Sequence, residues 1–387
     1  MNVIGIVGPF GSGCTTVAEL IQEERGYEII SLSHILKEII ANNEGDIPSD
    51  TPRDYLQEQG NIIRESLGNY HLAQEASKII QQDPSKNYII DSIRNPGEIL
   101  YLKNQFPNFY LFGVFADADN RWNRVKNKYN DDRRTFNKDD EKDSGKKEDK
   151  NGQKVTGSFA MSDVVILNNL KISGKNQNYY NLLASLRDKL DIIEGKMPFR
   201  PNQTETNMAL AYAVSMRSSC LKRKVGAVIV DAHGAVFSSG YNEVPSTQAS
   251  CLNEYGQCYR DQMKLEFKED IETIVVNPEE QKSVLTRFKD FKILDYCRAL
   301  HAEENAILNV ARVGASSALP TSTLYTSTYP CNLCANKIAQ VGIKSVVYFE
   351  PYPMEEAKKI LTEKRVEQIP FEGVTYNGYF RLMEVVE

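Results

Sequence analysis

The chain has 387 residues, of which 41% are hydrophobic and 25% charged, and its formal net charge is −6. Two domains with separate cores fit this length. The negative net charge argues against a protein that functions mainly by binding a nucleic-acid backbone. No apolar run approaches the roughly 20 residues that a membrane-spanning helix needs. The start, MNVIGIVG, lacks the basic segment of a secretory signal, and seven cysteines in such a chain predict reduced thiols and a cytoplasmic protein.

The first predicted elements are a strand, NVIGIV, a glycine-rich loop, GPFGSGCTT, and a helix, VAELIQEER. In this order, backbone N–H groups and the helix start can surround a phosphate. The residues predicted to bind a nucleotide here are Gly8, Gly11, Gly13, Cys14, Thr15 and Thr16. The phosphate-binding template has lysine at position 14, and a thiol lacks its reach and charge, so phosphoryl transfer is not expected. A purely structural turn is the alternative.

Further elements complete a predicted N-terminal domain. NYIID ends at Asp91, with Arg94 close behind, and resembles the strand end of nucleoside monophosphate kinases, where the acid lies near Mg²⁺ and the arginine near a phosphate. An ordinary strand-end turn is the alternative. Segment 131–154 is almost without apolar residues and is predicted to be a solvated, mobile excursion where such kinases carry a lid. The pattern predicts a degenerate P-loop kinase-like domain, a doubly wound parallel sheet, over residues 1–195.

A second domain is predicted over residues 199–387. Gly195, Pro198 and Pro201 lie among polar residues and indicate the joint between the domains. Beyond the joint, helical and strand patterns alternate, which predicts an α/β/α domain with a sheet between helices. Side chains at strand ends and helix starts are therefore the candidates for a functional site.

Two short segments of the second domain carry the chemistry. HAEEN contains His301 and Glu303, and YPCNLC contains Cys331 and Cys334. One imidazole and two thiolates are three ligands of the kind zinc prefers, which leaves one coordination position open for water. The joint pattern H-x-E with P-C-x-x-C is the signature of zinc nucleobase deaminases, with the glutamate as proton carrier. Separately, the cysteines could be a redox pair or half of a structural zinc site, and the histidine a core residue.

Residues 199–355 resemble the deoxycytidylate deaminase family almost continuously, in RSSC, VGAVIV, GYNEVP, HAEEN and PCNLC. The first three segments separate this family from other deaminases that share only the zinc motifs. With its front domain, the chain resembles two-domain deoxycytidylate deaminases that bacteria use against phage. That resemblance implies deamination of dCTP and dCMP, depletion of a DNA precursor, and in some members inhibition by a small RNA.

The resemblance also implies roles for individual residues. Zinc would be held by His301, Cys331 and Cys334, and Glu303 would carry protons while water attacks C4 of cytosine. The predicted substrate-binding residues are Asn242, Ala302, Arg217, Ser218 and Tyr329. Many relatives have serine where this chain has Tyr329. A hexamer is expected by the same resemblance.

Three further cysteines, Cys251, Cys258 and Cys297, are candidates for a second, structural zinc, with reduced packing cysteines as the alternative. They flank an insertion, 259–296, of helical and short strand-like character and of undetermined role.

The leading hypothesis is therefore a zinc-dependent deaminase of free deoxycytidine nucleotides, with an N-terminal domain that senses a nucleotide, bound with Mg²⁺, or another effector. A housekeeping deaminase that supplies dUMP is the first alternative. A polynucleotide cytidine deaminase is a second, disfavoured because no basic, aromatic-rich groove is evident. A nucleotide kinase with an inert deaminase fold is a third. DNA substrates and membranes are not expected.

Overall fold

The structure is a computed structural model that describes residues 1–44, 48, 51–145, 153–172, 174–289, 296–350 and 352–383. The chain forms two compact units. The first contains Met1–Thr206, Phe349–Pro353 and Pro370–Glu387, and the second contains Asn207–Tyr348 and Met354–Ile369. Within the described ranges, no helix combines the length and apolar composition needed to cross a membrane.

The elements up to residue 193 are, in chain order, β1 (Val3–Val7), α1 (Cys14–Arg25), β2 (Glu28–Ser31), α2 (Leu32–Glu44), α3 (Arg53–Leu67), α4 (His71–Gln82), β3 (Tyr88–Asp91), α5 (Pro96–Gln105), β4 (Phe109–Phe115), α6 (Ala118–Val125), a 3-10 helix (Lys126–Tyr129), α7 (Arg133–Ser144), α8 (Val155–Phe159), β5 (Val164–Leu167) and α9 (Gln177–Ile193).

The later elements are α10 (Gln203–Ser215), β6 (Gly226–Val230), β7 (Val236–Tyr241), α11 (Cys251–Tyr255), α12 (Tyr259–Ile274), α13 (Pro278–Lys289), α14 (Ala302–Arg312), a 3-10 helix (Ser316–Thr321), β8 (Thr323–Thr326), α15 (Asn332–Val341), β9 (Ser345–Tyr348), α16 (Glu355–Glu363), β10 (Glu367–Pro370), β11 (Gly373–Val374) and α17 (Tyr376–Met383).

The first unit is built on a six-stranded sheet with the order β11-β5-β4-β1-β3-β2. Strands β1 to β5 pair in parallel. Alternate residues of β1 belong to different cores, with Val3 and Val7 in one and Ile4 and Ile6 in the other. Both faces of the sheet are therefore covered, which explains why this strand is an unbroken apolar run.

The sixth strand of this sheet differs from the predicted parallel arrangement. β11 comes from the far C-terminal part of the chain and pairs antiparallel with β5 at the edge. The predicted second domain, 199–387, thus differs from the unit division, because Phe349–Pro353 and Pro370–Glu387 belong to the first unit. A two-residue strand has too few residues to show a periodic pattern, so nothing local predicts its pairing.

The prediction of a solvated, mobile excursion over 131–154 is wrong for residues 133–144, which form a helix with a buried face. Residues 133–144 form α7, and Phe136 and Asp143 on it are buried. Residues 146–152 lie outside the described residues. The buried face of this helix contains charged residues that form ion pairs. A search for periodic apolar residues therefore does not detect the helix.

The second unit has a five-stranded sheet in the order β10-β9-β8-β6-β7. β6 pairs antiparallel with both β7 and β8, whereas β8 and β9 are parallel. The parallel pair requires a crossover helix, which is α15. The mixed α/β class predicted from the sequence is confirmed, with two separate sheets. The insertion predicted at 259–296 forms α12 and α13 in its described part.

A buried carboxylate holds β11 in place. One oxygen of Glu205 accepts a hydrogen bond from the Val374 backbone N–H at 2.8 Å, and the other accepts from the Asn202 N–H at 2.9 Å. Both donors would be left without this acceptor if the carboxylate were removed.

We expect Glu205→Ala to lower the free energy of unfolding of the first unit by about 1–3 kcal/mol, because it leaves a buried donor unpaired. Urea unfolding followed by fluorescence of Trp122, the only tryptophan, in α6 of the first unit, measures this change. Glu58→Ala, at an exposed position on α3, is the control and should have little effect. Equal stability of the two variants would contradict the role of Glu205.

Candidate active site

The helix that follows the predicted histidine, α14, is packed directly against β7. A side-chain carbon at Gly240 in β7 would lie 2.3 Å from the Ala302 carbonyl oxygen, so only glycine permits this approach. The Asn305 side chain donates to the Tyr241 carbonyl at 2.8 Å, and Asn309 donates to the Ser239 carbonyl at 2.9 Å. These bonds fix the position of α14 along β7.

Asn305 is the last residue of HAEEN, and its positioning role was not predicted. Its partner is a backbone carbonyl 64 residues earlier in the chain. No spacing rule connects the two groups. The only sequence signal is an amide side chain inside a helix, where it is not a strong helix former.

The three predicted metal ligands meet at the starts of two helices. His301 is the residue before α14, and Cys331 is the residue before α15, with Cys334 one turn further on. The Nδ1 atom of His301 lies 3.2 Å from the Cys331 sulfur and 3.3 Å from the Cys334 sulfur. Pro330 lies two residues before α15 begins.

The charges at this cluster favour one thiolate. A hydrogen bond from the Cys334 thiol lowers the pKa of Cys331 to about 4, and the Cys331 thiolate in turn raises the pKa of Cys334. The hydrogen bond to Cys331 also raises the pKa of His301. Glu303, in the first turn of α14, is only 3% exposed, and burial raises the pKa of its carboxyl.

The donor set fits zinc. The ligand atoms of His301, Cys331 and Cys334 all lie within 4.8 Å of one another. A tetrahedral ion with ligand distances of about 2.0–2.3 Å separates neighbouring ligand atoms by roughly 3.5 Å. The observed spacing therefore allows one ion to bind all three with small adjustments. Three protein ligands leave the fourth position for a water molecule or substrate.

The predicted substrate-binding residues lie in different environments. Asn242 accepts from the Val225 N–H at 2.7 Å and donates to the Arg223 carbonyl at 2.8 Å, so its side chain holds the loop before β6. Ser218 is buried and donates to the Asn242 carbonyl at 2.6 Å. Arg217 is exposed, and its guanidinium lies 4.8 Å from the centre of the Tyr241 ring.

Tyr329 and Ala302 offer backbone groups. The Tyr329 side chain is buried against Tyr348, with ring centres 4.7 Å apart, and its hydroxyl donates to Gln368. Its ring is thus part of the core of the second unit. Ala302 is buried as the first residue of α14, and the first N–H groups of a helix have no acceptor within that helix.

The cysteines predicted to bind a second metal line one small cavity, and Cys220 joins them there. The cavity wall includes Cys220, Cys251, Cys258 and Cys297. Burial raises the pKa of Cys297, to which Cys220 and Cys258 also contribute. In the part of the chain that the structure describes, however, only the His301 cluster has three such ligand atoms within 4.8 Å. The four thiols therefore lie near one another, but their sulfur atoms are not arranged closely enough to bind one metal ion without movement.

The predicted N-terminal nucleotide residues also come together. Gly8, Gly11, Gly13 and Thr16 lie in or just after the loop between β1 and α1. Thr15 donates to Asp91, the last residue of β3, at 3.1 Å. Arg94 donates instead to Asp143 of α7 at 2.6 Å. Burial and the nearby Asp91 carboxylate raise the pKa of Cys14 to about 12, so this thiol is neutral where the template has a cation.

Comparison with known proteins gives a consistent result. A family described as the cytidine and deoxycytidylate deaminase zinc-binding region matches residues 201–350. The deoxycytidylate deaminase of Saccharomyces cerevisiae is 35% identical over 193 residues, 49% of this chain and 51% of that protein. The chain thus spans about half the length of that relative. The deoxycytidylate deaminase of Schizosaccharomyces pombe is 26% identical over 357 residues, 92% of each chain.

An open zinc site with a buried carboxylate, carried by this α/β fold and this zinc-binding region, defines a zinc-dependent deaminase. The deoxycytidylate deaminase of Enterobacteria phage T4 is 34% identical over 155 residues, 39% of this chain and 79% of that protein. The chain belongs to the deoxycytidylate deaminase family, and the predicted family membership is confirmed.

We expect Cys334→Ser to lose one equivalent of zinc per chain, because zinc affinity at such a site depends on the thiolate. Metal analysis by mass spectrometry after dialysis against a zinc buffer measures the change. Cys14→Ser, in the glycine loop of the first unit, should keep the wild-type zinc content. Wild-type zinc content in Cys334→Ser would rule out this cysteine as a ligand.

Proposed function

We propose that this chain hydrolyses the exocyclic amine of deoxycytidine nucleotides, converting dCMP, dCTP or both, with water, to the uracil nucleotide and ammonia. The observation that carries the proposal is the meeting of His301, Cys331 and Cys334 beside the buried carboxyl of Glu303. The family supports the same substrate class, since its members are named deoxycytidylate deaminases.

The zinc ion and Glu303 have different roles in the proposed reaction. When bound, zinc supplies a water molecule of lowered pKa as the nucleophile. Glu303 takes one proton from that water and delivers it to N3 of cytosine as the C4–O bond forms. It then takes the second proton from the hydroxyl group on C4 and delivers it to the amine, so that the C4–N bond breaks, ammonia leaves and the C4 carbonyl forms. Burial raises the pKa of Glu303, which makes its carboxylate a stronger base for the first proton transfer.

We propose that three backbone or side-chain groups orient the substrate. The Ala302 N–H binds the pyrimidine carbonyl, and the carbonyl of Tyr329 accepts a hydrogen bond from the amine. Arg217 is exposed and suits the phosphate. The Asn242 side chain already has two partners, so contact with base or sugar requires it to give one of them up. The Ser218 hydroxyl is bonded to a backbone carbonyl and acts through that loop.

We expect Glu303→Ala to keep zinc and to lower the deamination rate by about 10²-fold or more, because only the proton carrier is lost. Purified protein is incubated with dCMP, dCTP, cytidine, CTP and single-stranded DNA, with and without dTTP, and products are separated by chromatography. Glu304→Ala is the matched control. Glu304 is the next residue and pairs with Lys337 at 2.6 Å, a partly exposed contact that contributes little.

Each alternative has a distinct outcome in the same assay. Comparable deamination by Glu303→Ala and wild type would refute the proposed chemistry. Turnover of dCMP alone would favour the housekeeping role that supplies dUMP. Equal rates on DNA and dCTP would favour a polynucleotide deaminase. Transfer of phosphate from ATP to a nucleoside monophosphate, surviving Glu303→Ala, would favour the kinase.

For the first unit we propose a P-loop kinase-like domain that binds a nucleotide with Mg²⁺ as an effector. A glycine loop between β1 and α1, in a parallel sheet, supports the domain type. The hydrogen bond between Thr15 and Asp91 supports the metal, because a loop hydroxyl and a strand-end acid hold Mg²⁺ in P-loop enzymes. A cavity of about 750 Å³ beside the loop, lined partly by Asn120, Asn123 and Asn168, offers amides for a base.

The biological setting rests on the resemblance of the two-domain arrangement alone. We propose depletion of dCTP in anti-phage defence, a hexamer, and inhibition by a small RNA or nucleotide effector. Plaque counts on bacteria that express wild type or Glu303→Ala test the first of these. Equal plaque counts for the two would refute it.

We propose that the three predicted cysteines, Cys251, Cys258 and Cys297, bind a structural zinc together with Cys220, which lines the same cavity. The ion would draw the four thiols closer together than they lie in this structure. Cys297→Ser should then reduce the zinc content of the protein from two equivalents to one and lower its melting temperature, as metal analysis and thermal unfolding would report. Cys14→Ser is the control for loss of a thiol outside the cavity. One equivalent of zinc in the wild type would contradict the second site.

A further inference from the structure

The first unit contains a buried carboxylate with an unusual set of partners. Asp143 on α7 is 0% exposed. Its oxygens accept from the Phe10 backbone N–H at 3.1 Å and from the Tyr352 hydroxyl at 3.2 Å. They also accept from Arg53 at 3.1 Å and from Arg94 at 2.6 Å. One carboxylate therefore meets four donors, two of them guanidinium groups.

These donors are the kind that bind phosphoryl groups. Phe10 lies in the glycine loop, whose backbone N–H groups face anions in phosphate-binding loops. The side chains of Arg53 and Arg94 are 23% and 22% exposed, so both are partly accessible to solvent. The guanidinium of Arg53 also lies 3.8 Å from the centre of the Phe10 ring, which keeps it against the loop. Arginine binds phosphate with two parallel hydrogen bonds.

The carboxylate is firmly held in its charged form. Burial alone would raise the pKa of Asp143, but the guanidinium groups of Arg94 and Arg53 outweigh burial and lower it. A second buried pair fixes α7 beside the loop, since Arg121 binds Asp140 of α7 and donates to the Phe10 carbonyl at 3.2 Å. The anion at this position is thus part of the folded chain.

We propose that the Phe10 N–H, Arg53 and Arg94 form a phosphoryl-binding site that Asp143 closes in this structure as an internal anion. The ligand is the terminal phosphoryl group of a nucleoside phosphate whose base lies in the asparagine-lined cavity. This identity rests on the proposed nucleotide-binding function of the first unit. Because Cys14 replaces lysine and is neutral, these arginines supply the positive charge that the loop itself lacks.

Displacement of Asp143 has a consequence for Tyr352. A phosphoryl group carries more negative charge and more acceptor oxygens than a carboxylate, so it competes for the same donors. Tyr352 then loses its acceptor. Tyr352 lies four residues after Tyr348, the end of β9, and α16 of the second unit begins at Glu355. The segment that carries Tyr352 is therefore joined by the chain to the second unit on both sides.

The test compares full-length, zinc-loaded variants by titration calorimetry with inorganic tripolyphosphate and Mg²⁺. Asp143→Asn should bind this probe at least tenfold more tightly than wild type, because the competing anion is gone. Asp143→Asn combined with Arg94→Gln should lose that gain. Equal affinity in Asp143→Asn and wild type, or no binding by either, would overturn the proposal.

Asp163→Asn is the matched control. Asp163 is also fully buried, accepts from one backbone N–H (Leu111), and faces two cations, Lys103 and Arg381. It precedes β5 and so lies at the end of the parallel strands opposite the glycine loop. The affinity of the Asp163→Asn variant for tripolyphosphate should equal that of the wild-type protein. The same gain in Asp163→Asn would mean that loss of any buried charge, rather than of the internal anion, causes tighter binding.

Hydrogen exchange on the wild-type protein gives a second measurement that needs no variant to fold. Saturating tripolyphosphate should speed amide exchange in α7 and at Tyr352, since both lose the Asp143 contacts. Unchanged or slower exchange at both places would overturn the proposal. Neither measurement uses deamination. A negative result here therefore does not affect the proposed deaminase activity, and loss of deaminase activity would not affect the proposed anion site.

Discussion

The site depends on one constraint, which is that two helices must begin at the same edge of one sheet. His301 precedes α14, and Cys331 precedes α15 after β8, so the imidazole and the thiols meet only when both helices are fixed along their strands. Gly240 and the side-chain amide of Asn305 fix α14 on β7. The parallel pairing of β8 with β9 requires α15 to cross between them. A slip of one helical turn, about 5.4 Å, would separate the ligands.

The same arrangement supplies the electrostatics. Helix starts carry partial positive charge, which favours thiolates at positions such as Cys331. Burial has the opposite effect on a neighbouring acid, because it disfavours the charged form of Glu303. One short region therefore holds an anionic metal ligand and a carboxyl that retains protons. Hydrolytic deamination needs both, since the nucleophile must be stabilised and protons must be delivered to the substrate.

The two units use a similar device for different purposes. In the second unit two helix starts carry the metal ligands, whereas in the first unit a backbone N–H of the glycine loop binds an anion, which is the chain's own Asp143. The chain passes between the units at four points, after Thr206, Tyr348, Pro353 and Ile369. Tyr352, which donates to Asp143, lies in the short segment Phe349–Pro353 that the first unit receives between two stretches of the second.

Local sequence determined the chemical types and most of the elements. The apolar runs of β1, β4 and β6 and the donor set of His301, Cys331 and Cys334 were predictable, because residue type and short spacing are enough to specify them. Only the tertiary structure decided that Asp143 is buried on a helix, that β11 joins the first sheet, and that Cys220 lies with three other thiols. The physical reason is that these features are contacts between groups far apart in the chain. The sequence around one group contains no signal that identifies its partner.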